Sequence, residues 1–408
     1  MDDVMLDYER FISDRVRGID ASGIRRVFDL AAKLERPINL SIGQPDFDVP
    51  GPVKDAACVA IQQGVNRYTQ TQGMAELREK ITQGLAGEFP QTLGRGDAGL
   101  LVTSGVSGGL MLALLTCVQQ GDEVLIPDPY FVMYRHLVTL AGATPVFVDT
   151  YADFELTAER IEPHITQRTK LLLFNSPSNP TGVVASEVAC REIAALAAKH
   201  NVLILSDEIY DEFWYPAPAT PATPAMTSAP TSEIRNPKSE IPPRLPSPAA
   251  YSADVLLLRG FSKTYGMTGW RLGYAAGPAA IVEQMTKLQQ YSFVCAPSMA
   301  QVAGSVALDV DMSEHVAAYR RKRDRVVERL SAHYELAVPG GAFYAFVKVP
   351  QRLGLTATQF VERAVERGLL IIPGSVFSER DTHFRLSYAC DDAMLEEGLG
   401  MLVELARG

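Results

Sequence analysis

Three runs of four residues, at 171–174, 202–205 and 255–258, are wholly apolar, and each leads directly into a polar or glycine-containing motif. A strand with one wet face alternates apolar and polar residues, so an unbroken apolar run is the pattern of a strand buried on both faces. Such strands need helices above and below them, and helical stretches such as 185–200 alternate with these runs. The expected fold class is therefore α/β, a mostly parallel sheet sandwiched by helices. Open parallel sheets bind ligands at the carboxyl ends of their strands, so the motifs that follow the runs are where chemistry is expected.

Beyond about residue 298 the pattern changes. A long helical stretch with a basic run, RRKRDR at 320–325, leads to short strands near 342–349 and 384–388, which reads as a second, smaller α+β domain. The basic run reads as one wet face of a helix. With 38 basic and 48 acidic residues the net charge is −10, a field that repels nucleic acid and anionic lipid. Residues 215–250 hold ten of the 26 prolines, a density that no helix or central strand tolerates. A flexible surface insertion at 216–250 is expected there, with a PxxP-type docking segment as the alternative. The division that results is an N-terminal arm with part of the smaller domain at 1–48, a large domain at 49–297, and the rest of the smaller domain at 298–408.

Five scattered cysteines without a CxxC pair indicate neither a disulfide framework nor a metal site, and a reducing cytoplasm is the expected location. The start, MDDVMLDYERF, is acidic and lacks the apolar stretch of a signal peptide. The uncharged stretch at 98–121 is broken by glycine, serine and threonine, so strand, glycine turn and helix is a better reading than a membrane span.

Four motifs offer chemistry. SGVSGG at 104–109 joins a strand expected at 100–103 to a helix expected from 110, where backbone N–H groups and the helix dipole can collect a phosphate. A tight packing turn is the alternative, since the glycine spacing is not GxGxxG. NSPSNPTG at 175–182 places Asn179 on a rigid turn, and SDEIY at 206–210 brings Asp207 and Tyr210 to the same sheet edge. A carboxylate directly after a buried strand is costly unless paired. GFSKTYGMTGWRLGY at 260–274 offers one lysine, Lys263, among small and apolar neighbours, with Arg271 eight residues on. A desolvated lysine near other cations has a lowered pKa and can act as an amine nucleophile.

Taken in order, GQPDF (43–47), the Tyr68 region, SGVSGGL (104–110), NPTG (179–182), SDEIY (206–210), FSKTYGMTGWRLGY (261–274) and FRLSYA (384–389) resemble the class I and II aminotransferases, fold-type I enzymes dependent on pyridoxal phosphate. The resemblance spans nearly the whole chain except the proline-rich stretch. It implies that Lys263 carries the cofactor as an internal aldimine and later shuttles the proton between the substrate Cα and the cofactor. By the same resemblance Asp207 faces the pyridine nitrogen, Asn179 and Tyr210 bond the phenolate oxygen, and Phe131 stacks on the ring, with Tyr130 as the weaker candidate. The phosphate falls to Val106, Ser107, Arg271 and a Tyr68 from a second subunit, which implies a homodimer. Arg385, with Asn179 and Gly43 beside it, takes the substrate carboxylate.

The implied reaction is a ping-pong transfer of an amino group from an L-amino acid, aspartate or a neutral or aromatic one, to a 2-oxo acid such as 2-oxoglutarate. A carbon–sulfur lyase or synthase on the same fold, and a non-catalytic regulatory protein that binds the cofactor, are the alternatives. Four positions depart from the family pattern. Gly260 and Cys295 stand where many relatives place phosphate-bonding hydroxyls, and Tyr291 and Ser107 where dicarboxylate-using subgroups have an arginine or a lysine. A buried second carboxylate needs a cation or several donors, so a neutral or aromatic donor fits at least as well as aspartate.

Overall fold

The computed structural model describes residues 6–19, 36–216 and 244–407. In chain order the strands are β1 (Ile38–Asn39), β2 (Ala98–Thr103), β3 (Glu123–Asp128), β4 (Thr144–Asp149), β5 (Thr169–Asn175), β6 (Leu203–Asp207), β7 (Val255–Gly260), β8 (Gly273–Pro278), β9 (Tyr344–Lys348), β10 (Leu369–Leu370), β11 (Ile372–Pro373) and β12 (His383–Ser387). The three apolar runs lie in β5, β6 and β7, which sit side by side in a seven-stranded sheet of order β2-β8-β7-β6-β5-β3-β4. Every pair is parallel except the two that involve β8.

Successive residues of these strands enter two different cores, as the unbroken apolar pattern requires. Leu172, Phe174, Ile204 and Leu257 join the core under helices Ala75–Glu88 and Glu187–His200. Leu171, Leu173, Leu205 and Leu258 join the core under helices Gly105–Cys117 and Ala279–Gln290. Each fully buried side chain of this size contributes about 1.5–3 kcal/mol.

A third core holds Ile38 and Leu40 from one end of the chain with Tyr319, Val347, Phe360 and Leu399 from the other. Its backbone is the antiparallel sheet β11-β12-β9 and the parallel pair β1–β10, with helices Ser313–Leu330, Ala357–Glu366 and Asp392–Arg407. A capping box between Thr356 and Gln359 fixes the start of the second of these helices. The smaller α+β unit is thus built from both ends of the chain.

Several local features differ from the sequence reading. The helix after β2 begins at Gly105, not at 110, because the glycines are themselves its first turns and let it pack closely on β7 and β8. Helix Ser298–Ala307, grouped above with the smaller domain, buries Ala300, Ala303 and Ala307 in the larger core. The basic run is not simply a wet face. Lys322 reaches Asp46, and Arg323 is buried with its guanidinium on the Pro339 carbonyl.

Most of the proline-rich stretch, 217–243, lies outside the described residues. Its downstream end packs onto the large unit: Arg244 donates to the carbonyls of Gly87 and Glu88, and Leu245, Ser247 and Ala249 are buried. Among the described residues no helix is long and apolar enough to cross a membrane.

Candidate active site

The carboxyl ends of β5, β6 and β7 and the first turn of helix Gly105–Cys117 open into one cavity of about 290 Å³. Lys263, three residues past β7, donates from Nζ to the Gly43 carbonyl at 2.6 Å. Burial lowers its pKa to about 8; the Arg385 and Arg271 cations add to the effect, and Asp207 opposes it. Asp207 closes β6 and is itself buried, which raises its carboxyl to about 6, against the Tyr134 hydroxyl on Oδ2 at 2.8 Å and the Ile209 N–H on Oδ1 at 3.3 Å. Asn175 ties the strand ends together, since its Nδ2 donates to the Asp207 carbonyl and its Oδ1 accepts from the Asn179 N–H.

On the opposite side Arg385, fully buried on β12, donates to Asn179 Oδ1 at 3.0 Å and to the Ser41 carbonyl at 2.8 Å. Its Nε is buried without a partner. Tyr210 and Tyr344 share a hydroxyl–hydroxyl bond of 2.9 Å. At the helix start, Arg271 bonds Ser107 Oγ at 2.7 Å and the Thr268 carbonyl at 3.0 Å. Gly105 has a φ of +70°, and a Cβ there would fall 2.5 Å from the Arg271 guanidinium, so only glycine allows this approach.

Of the residues singled out from the sequence, Gly43, Val106, Ser107, Phe131, Asn179, Asp207, Tyr210, Lys263, Arg271 and Arg385 line the cavity. Phe131 stands edge-on to Tyr134 at 5.6 Å. Tyr130 turns away, stacked on Phe147 with its hydroxyl on Glu379. Tyr68 does not line the cavity and is 84% exposed, as Tyr291 is at 82%; Gly260 and Cys295 are not among its walls either. The sequence reading missed Tyr134, Asn175, Ser41 and Tyr344. Tyr134 lies three residues past Phe131 and Asn175 opens a quoted motif, so both had a signal; nothing in the spacing ties residue 344 or 41 to the others.

A partly neutral amine, a buried carboxylate, an anion cradle and a guanidinium with an unused donor can together hold an aromatic aldehyde phosphate and a carboxylate substrate. Pyridoxal phosphate fits these residues. A helix start with a planar Arg271 suits the phosphate, Asp207 suits a protonated ring nitrogen, and the orphaned Arg385 Nε suits a carboxylate.

The family model for aminotransferase class I and II matches residues 35–402. Aromatic-amino-acid aminotransferase 2 of Thermococcus litoralis is 34% identical over 97% of this chain and 98% of its own length. The aspartate aminotransferase of Pyrococcus abyssi is also 34% identical, over 97% and 98%. Among solved structures, the aspartate aminotransferase of Thermotoga maritima covers 97% of this chain and 100% of its own, at 30% identity and a TM-score of 0.86. With the anion cradle, the perturbed lysine and the buried aspartate in one cavity, the match across almost the whole chain places the protein in the class I and II aminotransferases, enzymes that transfer amino groups with pyridoxal phosphate.

Proposed function

We propose that this aminotransferase takes a neutral or aromatic L-amino acid as donor in preference to aspartate, and a 2-oxo acid as acceptor, in ping-pong fashion. One observation carries the preference. The only cations among the described residues lining the cavity are Lys263, Arg271 and Arg385, and the cofactor and one carboxylate account for all three. The remaining walls include Leu110, Phe131, Met133, Ile209 and Tyr344, while Tyr291 is exposed.

Bound pyridoxal phosphate supplies the carbonyl that takes up the amino group and the ring that accepts electrons from the substrate Cα. Lys263 Nζ, with its lowered pKa, is the amine that holds the cofactor and then the base that takes the Cα proton. Asp207, oriented by Tyr134 and the Ile209 N–H, holds the proton on the ring nitrogen. Asn179 gives its Oδ1 to Arg385, which leaves its Nδ2 to donate, with Tyr210, to the phenolate oxygen. Phe131 covers the ring, and Val106, Ser107 and Arg271 hold the phosphate. Arg385 grips the substrate carboxylate while Gly43 closes over it. Tyr68, so exposed in one subunit, completes the phosphate site of a partner in a homodimer, and the free cysteines fit a cytoplasmic enzyme.

The preference is tested by measuring kcat/KM for a panel of amino acids in the donor half-reaction alone, followed through the absorbance of the bound cofactor. Aromatic and neutral donors are expected to exceed aspartate by at least about tenfold, since an unpaired buried carboxylate costs more than the roughly 1.4 kcal/mol that tenfold represents. A tenfold preference for aspartate would overturn the assignment.

A further inference from the structure

Tyr344 belongs to none of the motifs that mark the site, yet it meets three parts of it. Buried on β9, it places its hydroxyl 2.9 Å from that of Tyr210, and its ring centre lies 4.5 Å from the Arg385 guanidinium carbon. A Cβ on Gly43 would stand 2.6 Å from the same hydroxyl, so the segment that covers the cavity runs directly against it.

A tyrosine hydroxyl has one proton and two lone pairs. If Tyr210 gives its proton to an acceptor in the cavity, Tyr344 must be the donor of the bond between them. A hydroxyl that accepts a hydrogen bond becomes a stronger donor in turn. The ring of Tyr344 works on a different partner. With Phe377, 4.6 Å away, it packs against the buried Arg385 guanidinium, where a cation–π contact in a desolvated setting holds the fork in place.

We propose that Tyr344 is a positioning residue that keeps the Tyr210 hydroxyl and the Arg385 guanidinium in register, its hydroxyl serving the cofactor side of the cavity and its ring the carboxylate side. This rests on the roles proposed above for Tyr210 and Arg385. Two variants of the holoenzyme separate the functions: Tyr344→Phe keeps the ring and loses the hydroxyl, and Tyr344→Leu loses both. The measurements are the pH midpoint of the absorbance change of the bound cofactor, and kcat and KM for the amino donor taken separately.

Weaker donation by Tyr210 leaves more electron density on the phenolate oxygen, which holds the neighbouring proton more tightly. Tyr344→Phe should therefore raise the midpoint by about half a pH unit with KM within about twofold of wild type. Tyr344→Leu should show the same shift and a KM raised about tenfold. An unshifted midpoint in the phenylalanine variant overturns the proposal, as does a leucine variant whose KM matches that of the phenylalanine one. If the leucine variant does not fold, the midpoint of the phenylalanine variant decides alone. A wild-type protein that converts no amino acid sinks the reading of the whole site, whereas an active wild type with unshifted variants sinks only the role of Tyr344.

Discussion

Burial moves Lys263 and Asp207 in opposite directions, the amine down to about 8 and the carboxyl up to about 6. Between those values the carboxylate is mostly ionised and the amine mostly protonated, with a neutral fraction that grows tenfold per pH unit up to about 8. Only the neutral amine attacks a carbonyl. The rate at which cofactor-free protein captures pyridoxal phosphate should thus rise with unit slope below about pH 8 and level off above it. Arg385→Leu removes a cation that helps lower the lysine, so its midpoint should lie higher than in wild type. Stopped-flow absorbance measures both, and a wild-type midpoint near 10.5, the ordinary lysine value, would show that the amine is not desolvated.

The elements that carry these two residues are locked together behind the cavity. Arg259 on β7 grips Glu88, at the end of helix Ala75–Glu88, through two bonds of 2.6 and 2.8 Å, and Glu208, next to Asp207, through bonds of 2.8 and 3.1 Å. Ser206 and Ser247 also donate to Glu208, so the chain that returns after the proline-rich stretch is tied into the same cluster. Arg259→Met would leave a fully buried Glu208 without its cation and should destabilise the protein by about 3–5 kcal/mol in urea unfolding. Adding Glu208→Gln should recover part of the loss; a single-variant loss of under about 1 kcal/mol would mean the pair behaves as a surface one.

Little of this cluster was legible in the sequence, because Glu88, Glu208 and Arg259 are brought together only by the packing of a helix against two strands. The strands themselves were legible, since burial on both faces removes every polar residue from 171–174 and 255–258. The start of the glycine-rich helix was not, because glycine usually breaks a helix and only the close approach to β7 and β8 favours it there. Lys263, Asp207 and Arg271 stood out through the motifs around them. Tyr344 did not, because its contacts with Tyr210 and Gly43 form only when the smaller unit folds over the larger one.

At the scale of the whole molecule, the cavity lies where the two units meet, with Arg385 from the smaller one bonded to Asn179 of the larger. The proposed contribution of Tyr68 from a partner makes each site of a dimer a composite of two chains. Mixing Lys263→Ala subunits with Tyr68→Ala subunits should then regenerate activity, because one site of each mixed dimer has an intact lysine and an intact tyrosine. Refolding the two variants together and assaying transamination tests this, and activity no higher than the mean of the separate variants would place Tyr68 outside the site.

The pairing of β1 with β10 also sets an order of events during synthesis. Ile38 and Asn39 leave the ribosome early, but their partners Leu369 and Leu370 are made more than three hundred residues later, and Ser41, whose carbonyl holds Arg385, waits equally long for its guanidinium. All seven strands of the large sheet are complete by residue 278, so that sheet can form while the first strand of the smaller unit is still unpaired. On the site proposed above, a nascent chain would present a nearly finished cofactor cradle well before Arg385 could grip a substrate, and it would become a competent enzyme only when its last hundred residues reach back to its first forty or so.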